Sequence, residues 1–175
     1  ADELQGLTPP HRGDAGTRSL NFALQAALNP PKPGKQERRF GELIFREGDR
    51  VMQTRNDYDV VWQKGDGTAG TGIFNGDVGK IAKIDPSGEL LEIVFDDRTA
   101  TYTSDMLAEL DMAYAMTVHK AQGSEYRGVV FVGAPCAPSL MVRGVLYTAI
   151  TRARELLVIV GDDSAVNKMA ENDRR

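Results

Sequence analysis

Two unbroken apolar runs near the carboxyl end, GVVFVGA (128–134) and ELLVIVG (155–161), constrain this 175-residue chain more than any other feature. A strand with one wet face alternates apolar and polar residues. These runs do not alternate, so each predicts a strand buried on both faces, the condition of a mainly parallel sheet covered by helices. The order of segments agrees. AYAM, the polar TVHKAQGSEY, GVVFVGA, the helical SLMVRGVLYTAITRAR and ELLVIVG follow one another as strand, loop, strand, helix, strand. In the helical stretch Val142, Val145, Leu146, Ala149, Ile150 and Ala153 share one face, with Arg152 and Arg154 off that stripe. The tail DDSAVNKMAENDRR predicts a last short helix.

The beginning of the chain belongs to the same layer. LTPPHRGDAGTRSLNFALQAALNPP predicts a strand end, a Pro/Gly loop and a helix capped by Thr17. Its apolar face would be Leu20, Leu24, Ala27 and Leu28, and Pro30-Pro31 would end it. From ELIFREGDRVMQTRND onward the period falls to two, with turns at REGD, NGD and DPSGE between GKIAKI, LLEIVFD and TATYT. That pattern predicts a small twisted antiparallel barrel. Within it four glycines between residues 65 and 72 predict a mobile hairpin loop rather than a strand. The expected organisation is an α/β domain formed by residues 1–56 and 111–175, interrupted by a barrel over 57–110.

Composition excludes several classes. With 41% hydrophobic and 26% charged residues, an ordered globular chain is expected. A single cysteine, Cys136, allows no internal disulfide, and two histidines make no metal cluster with it, so no metal site is expected. The longest apolar runs are far too short to span a bilayer, and ADELQG has no export signal, which predicts a cytoplasmic protein without a membrane partner. Net charge is −4, against general coating of nucleic acid. Residues 32–55, however, carry seven Lys or Arg against four acids, whereas 85–111 carry eight acids against Arg98 alone. The first segment could face phosphates, or both could be solvated surface.

No G-x-x-x-x-G-K-[ST] loop occurs, since GDVGKI and PGKQ lack both its spacing and its hydroxyl. The paired acids of IVFDD and VIVGDD read as turns at strand ends. Three other constellations carry polar chemistry. In AMTVHKAQGSEY, Thr117 follows a strand and is placed to cap a short helical turn closed by Gly123, at the sheet edge where open α/β sheets bind ligands. His119, Lys120 and Gln122 could offer donors to phosphates or bases and Glu125 could accept from a ribose; equally, the segment could be a capped turn with satisfied polar groups. In YTAITRAR, Arg152 either complements a helix C-terminus or serves as an arginine finger on a terminal phosphate. In PPHRGDAGT, Arg12 occupies a glycine-rich turn.

Together and in this order, AMTVHKAQGSEY and LYTAITRARELLVIVG resemble motifs V and VI of superfamily 1 helicases. FREGDRVMQTRNDYD and FNGDVGKIAKID narrow the resemblance to the RecD-like helicases, the alpha-subunit type of exodeoxyribonuclease V, over nearly the whole chain. The resemblance implies a second RecA-like helicase domain with an inserted SH3-like barrel, closing on a first RecA-like domain across ATP. It implies that Arg152 is the arginine finger and Arg12 a second phosphate contact. Glu125 would hold the ribose, with Gln122 and Gly123 coupling nucleotide to DNA. Thr117, His119 and Lys120, together with Arg55 and Asn56, would line the single-strand track. Translocation would run 5′ to 3′, in DNA recombination and repair. The P-loop and magnesium ligands for ATP and Mg2+ would lie on a missing N-terminal lobe, so the chain looks like the C-terminal fragment of a bacterial helicase, inactive alone, with RecB- and RecC-type subunits as possible partners. The glycine-rich KGDGTAGTG is longer than that family's usual connection. Two other readings are a stand-alone SH3- or KOW-like module binding protein or RNA, and a structural subunit that supplies Arg152 to an ATPase in trans.

Overall fold

The computed structural model describes residues 4–174. They form two compact units, one from residues 4–23 and 114–174 and the other from 24–113.

The first unit is a four-stranded parallel sheet. Its strands are β1 (Leu4–Thr8), β11 (Ala115–Thr117), β12 (Tyr126–Gly133) and β13 (Ala153–Gly161), in the order β11-β1-β12-β13. Leu7, Val129 and Phe131 of the inner strands are fully buried. Helix α2 (Arg143–Ile150) returns the chain from β12 to β13, and α3 (Asp163–Glu171) follows β13. Asp162 caps α3, accepting from the Ser164 amide at 2.7 Å, and the helix buries Ala165 and Met169.

Two expectations are corrected here. The helix between β12 and β13 spans only Arg143–Ile150, and Ala153 already opens a strand. Val145, Leu146 and Ala149 are its buried face, whereas Ile150 is 37% exposed. Secondly, the run ELLVIVG is not covered on both faces. β13 is the sheet edge, and Leu156, Val158, Ile159 and Val160 are all exposed.

Helix α1 (Thr17–Leu28) also differs from its apolar reading. Leu28 is 60% exposed, and the buried face is an amide stripe of Asn21, Gln25 and Asn29 at i, i+4 and i+8. In the parallel unit Asn21 clamps Ala115, donating to its carbonyl and accepting from its amide, each at 2.8 Å. In a parallel strand both backbone groups of one residue face the same side, and those of Ala115 face away from β1. Asn21 therefore pairs the outer edge of β11 as another strand would. The helix start needs Gly16, because a Cβ there would lie 2.6 Å from the His11 carbonyl oxygen. Thr17 is the first helical residue, and its hydroxyl engages His11 Nδ1 at 2.7 Å.

The second unit is antiparallel. A hairpin of β2 (Glu37–Phe40) and β3 (Leu43–Arg46) precedes a seven-stranded sheet. Its strands are β4 (Arg50–Gln53), β5 (Asp57–Lys64), β6 (Ala69–Ile73), β7 (Val78–Ile84), β8 (Leu90–Phe95), β9 (Arg98–Thr103) and β10 (Leu110–Met112), in the order β10-β4-β7-β8-β9-β5-β6. Among the described residues no pairing joins β10 to β6. The period-two pattern is realised in β8, where Leu91, Ile93 and Phe95 are buried, and in the first half of β7, where Gly79 and Ile81 are buried; a register shift between Ile81 and Lys83 then makes Ile84 the next buried residue. The glycine-rich stretch is corrected from loop to hairpin. Gly70 and Gly72 lie in β6, paired with β5, and only 65–68 form the turn. The Trp62 ring covers Gly70 and the Phe74 ring covers Gly72, so the missing side chains are filled by aromatics.

In this unit Asp49 is fully buried and accepts from Gln25 Nε2 (2.6 Å), Asn29 Nδ2 (2.8 Å) and the Arg46 amide (2.7 Å). Three donors offset the cost of removing a carboxylate from water. The last turns of α1 are thus fixed to the turn before β4 by polar bonds.

Candidate functional site

In the parallel unit the segment after β11 builds the turn that its sequence implies. Thr117 Oγ accepts from the Lys120 amide at 3.3 Å, and the Ala121 amide bonds back to the Thr117 carbonyl at 3.2 Å. Val118 and Ala121 are buried and anchor the turn, which leaves His119, Lys120 and Gln122 exposed. Gly123 has φ +81°, in the left-handed region, with open space where a Cβ would project. Because the Thr117 oxygen is used as an acceptor, its O–H remains a donor for an incoming oxygen.

The chain then crosses from the carboxyl edge of the sheet to its amino edge before β12 begins. There Ser124 and Glu125 meet the start of β13. The Tyr126 amide donates to the Arg152 carbonyl at 2.8 Å. The Arg152 guanidinium is half-buried and makes three hydrogen bonds, to the Thr148 carbonyl (3.2 Å), the Ser124 carbonyl (3.1 Å) and the Thr151 hydroxyl (3.3 Å). All three acceptors are neutral, and no carboxylate pairs with Arg152 among the described residues. Its charge is held in place but left uncompensated. Glu125 lies near Arg154 at 3.8 Å, both well exposed, a weak contact.

The structure therefore brings the Ser124–Tyr126 segment, with Glu125, to Arg152, and holds Thr117, His119, Lys120, Gln122 and Gly123 along one turn that leads into it. It does not bring Arg12 to them. Arg12 follows β1 at the carboxyl edge, a strand length of on the order of 15 Å from the edge at which β13 begins. Exposed Arg12 instead lines a cavity of about 400 Å3 between the loops after β1 and β12, with His11, Asp14 and Cys136. Cys136 is half-buried there, and burial pushes its thiol pKa up.

Arg55 and Asn56 belong to the antiparallel unit, in the loop between β4 and β5. Arg55 is 70% exposed at its side chain and pairs with Glu109, which is 5% exposed at the end of the 3-10 helix Ser104–Glu109. Glu109 raises the Arg55 pKa, by its hydrogen bond first and its charge second. Beneath the pair, Gln53 Nε2 donates to Glu109 Oε2 at 2.7 Å, and the buried Tyr102 hydroxyl donates to Gln53 Oε1 at 2.8 Å. Burial first, then the charge of Glu109, pushes the Tyr102 phenol upward. Sequence reasoning missed Glu109, whose only signal was a lone acid in an acidic segment. It also missed Asn21, although the amides at i, i+4 and i+8 were visible. Among the described residues no group of three metal-ligating side chains occurs, and no helix is long and apolar enough to cross a membrane.

Comparison with known proteins follows the same division. Residues 20–95 match the family model of the ATP-dependent RecD-like DNA helicase SH3 domain, and residues 112–160 match that of the UvrD-like helicase C-terminal domain. The chain is 37% identical over 98% of its length to the ATP-dependent RecD2 DNA helicase of Deinococcus radiodurans. It is 29% identical over 97% of its length to the RecBCD enzyme subunit RecD of Mycolicibacterium smegmatis. It spans 22% and 27% of the lengths of those two relatives. In fold it is similar to the Pif1 helicase of Candida albicans, with TM-score 0.56 and 14% identity, over 99% of this chain and 47% of that one. The Bacteroides Pif1 bound to ssDNA gives TM-score 0.55 at 16% identity, over 95% of this chain and 45% of that one.

Proposed function

From a chain that belongs to the RecD-like DNA helicases, we propose that it is the C-terminal part of an ATP-dependent helicase translocating 5′ to 3′ on single-stranded DNA. In this reading residues 1–23 and 114–175 are the second RecA-like domain, and the SH3-type insertion is the unit 24–113 rather than 57–110. ATP would bind between this domain and a first RecA-like domain of the same polypeptide, which would carry the P-loop and the magnesium ligands. This chain's share would be phosphate and ribose contacts. The bound nucleotide would supply a bridge between two domains that hydrolysis removes, and alternate closure would advance the strand.

The observation that carries this reading is the uncompensated guanidinium of Arg152, tethered through Ser124 to the turn of Gln122, Gly123 and Glu125. A positioned, permanently charged fork without a carboxylate suits the charge that develops on a transferring γ-phosphoryl group. Glu125 would accept from the ribose. Gln122 and Gly123 would pass closure to Thr117, His119 and Lys120, which contact backbone phosphates. Arg55 and Asn56 would supply single-strand contacts of their own on the inserted unit. Arg12, on the opposite sheet edge, would meet a different phosphate from Arg152. We assign the protein to the bacterial cytoplasm, and the RecD names among its relatives make RecB- and RecC-type subunits its candidate partners.

The test uses the full-length protein. Arg152→Ala is expected to lower DNA-stimulated ATP turnover by about 10³-fold or more, with single-strand affinity kept within a few fold. His119→Ala is expected to weaken single-strand binding. Undiminished turnover in Arg152→Ala refutes the finger. A second reading has its own support, because the Arg152 bond to the Thr148 carbonyl caps the C-terminus of α2. If Arg152→Ala loses activity only in proportion to lost folded protein, the residue is a structural cap.

A further inference from the structure

In the antiparallel unit the start of β5 and the loop after β6 hold an aromatic pair that the helicase reading leaves unused. Tyr58 and Phe74 form an edge-to-face contact, with ring centroids 5.5 Å apart and planes at 70°. Both are exposed, Tyr58 by 66% and Phe74 by 39%. A tyrosine ring that far in water gains little by burial, yet its surroundings are fixed. The Phe74 amide donates to Asp77 Oδ2 at 3.0 Å, and the Gly76 amide donates to the Gln53 carbonyl at 2.8 Å. The Asn75 amide donates to Asn56 Oδ1 at 3.0 Å, which fastens the 74–77 loop to the loop that carries Arg55. The Phe74 ring lies against Gly72, so close that a Cβ there would fall 2.8 Å from it.

We propose that Tyr58, backed by Phe74, and Arg55, held by Glu109, form a one-nucleotide subsite for single-stranded DNA. The base stacks on the Tyr58 ring and its phosphate meets the Arg55 guanidinium. The proposal rests on the reading of this chain as a single-strand-binding helicase part. Every nucleobase presents a π-face, so an exposed, preset aromatic face three residues along the chain from a positioned cation is the chemistry that grips a single strand without reading its sequence. Arg55 uses one of its two terminal nitrogens on Glu109, and no other acceptor meets it among the described residues, so the rest of its fork can serve a phosphate. The chain from Tyr102 through Gln53 to Glu109 fixes the carboxylate from below, and Glu109 thereby restricts the rotamers of Arg55 before DNA arrives. Glu109 is a positioning residue. Charge also limits the contact to one nucleotide. Asp57 and Asp59 flank Tyr58 in the chain, so a longer run of phosphates would be repelled.

The experiment measures binding of oligothymidylate to the full-length protein by fluorescence anisotropy, with a matched oligomer lacking bases as the control. Tyr58→Ala is expected to weaken oligothymidylate binding by about 5- to 150-fold, the range for losing one stacked base, and to leave abasic binding unchanged. Tyr58→Phe restores it. Arg55→Ala reduces the salt slope by about one phosphate, whereas Tyr58→Ala does not. Glu109→Gln, which keeps the size of the side chain and an oxygen for Gln53, weakens binding in the wild-type background but adds nothing in Arg55→Ala. If Tyr58→Ala binds like wild type while His119→Ala is weakened, the subsite is refuted and the DNA reading stands. If neither variant is weakened, both fall. Tighter binding in Glu109→Gln overturns the positioning role. Unchanged DNA binding with lost association to a RecB- or RecC-type subunit gives the patch to a protein instead.

Discussion

Replacing Asn21 by Ala isolates one clamp whose value can be worked from the structure. The side chain makes two hydrogen bonds of 2.8 Å to the amide and carbonyl of Ala115, a residue 2% exposed, on the outer edge of β11. Alanine keeps the helix but cannot replace either bond. Two buried backbone groups would then lack partners, at about 1–3 kcal/mol each. A loss of roughly 2–6 kcal/mol follows, a large share of the 5–15 kcal/mol typical of a domain. With a urea m-value of about 2 kcal/mol/M the midpoint would fall by roughly 1–3 M. Hydrogen exchange gives the local reading. The Ala115 amide should lose protection by about two to three orders of magnitude relative to amides of β12. Asn21→Asp keeps an acceptor for the Ala115 amide but places a carboxylate against its carbonyl, and should be no better than Ala. A midpoint shift under 0.3 M with Ala115 still protected would refute the argument, because water would then be replacing the amide.

Gly123→Ala should cost about 1–2 kcal/mol through its left-handed backbone alone, since no neighbour stands within 4 Å of the new methyl; thermal unfolding measures it, and a neutral result would show that the turn relaxes. The Ser164 side chain first and its amide second hold the Asp162 carboxyl below the usual range. Its folded pKa lies under the unfolded one, so its support of α3 is complete above the ordinary carboxylate pKa and lost as pH falls through the depressed value. Exchange protection of α3 should show that acid loss, and Asp162→Ala should abolish the dependence. The exposed edge strand β13 should drive self-association of the isolated chain, and Val158→Lys with Val160→Lys should reduce it in sedimentation experiments.

What the sequence determined by itself is local chemistry and period. The unbroken runs of β12 and β13 set a parallel sheet, Thr117 and Gly123 set the capped turn between β11 and β12, and the alternation of GKIAKI and LLEIVF set antiparallel strands. Each of these depends on interactions within a few residues, where spacing and side-chain type suffice. The tertiary structure alone decided which faces are buried. Leu28 reads as core and is exposed, while Asn21, Gln25 and Asn29 are buried, because an amide inside a protein is tolerated only where distant partners such as Ala115 and Asp49 satisfy it. Gly70 and Gly72 read as loop and lie in a strand, because Trp62 and Phe74 supply the contacts the glycines lack. The same holds for the site. The turn residues were legible from their spacing, but the separation of Arg12 from Arg152 follows from strand register. The hold of Glu109 on Arg55 spans 54 positions, and no local pattern encodes a contact of that range.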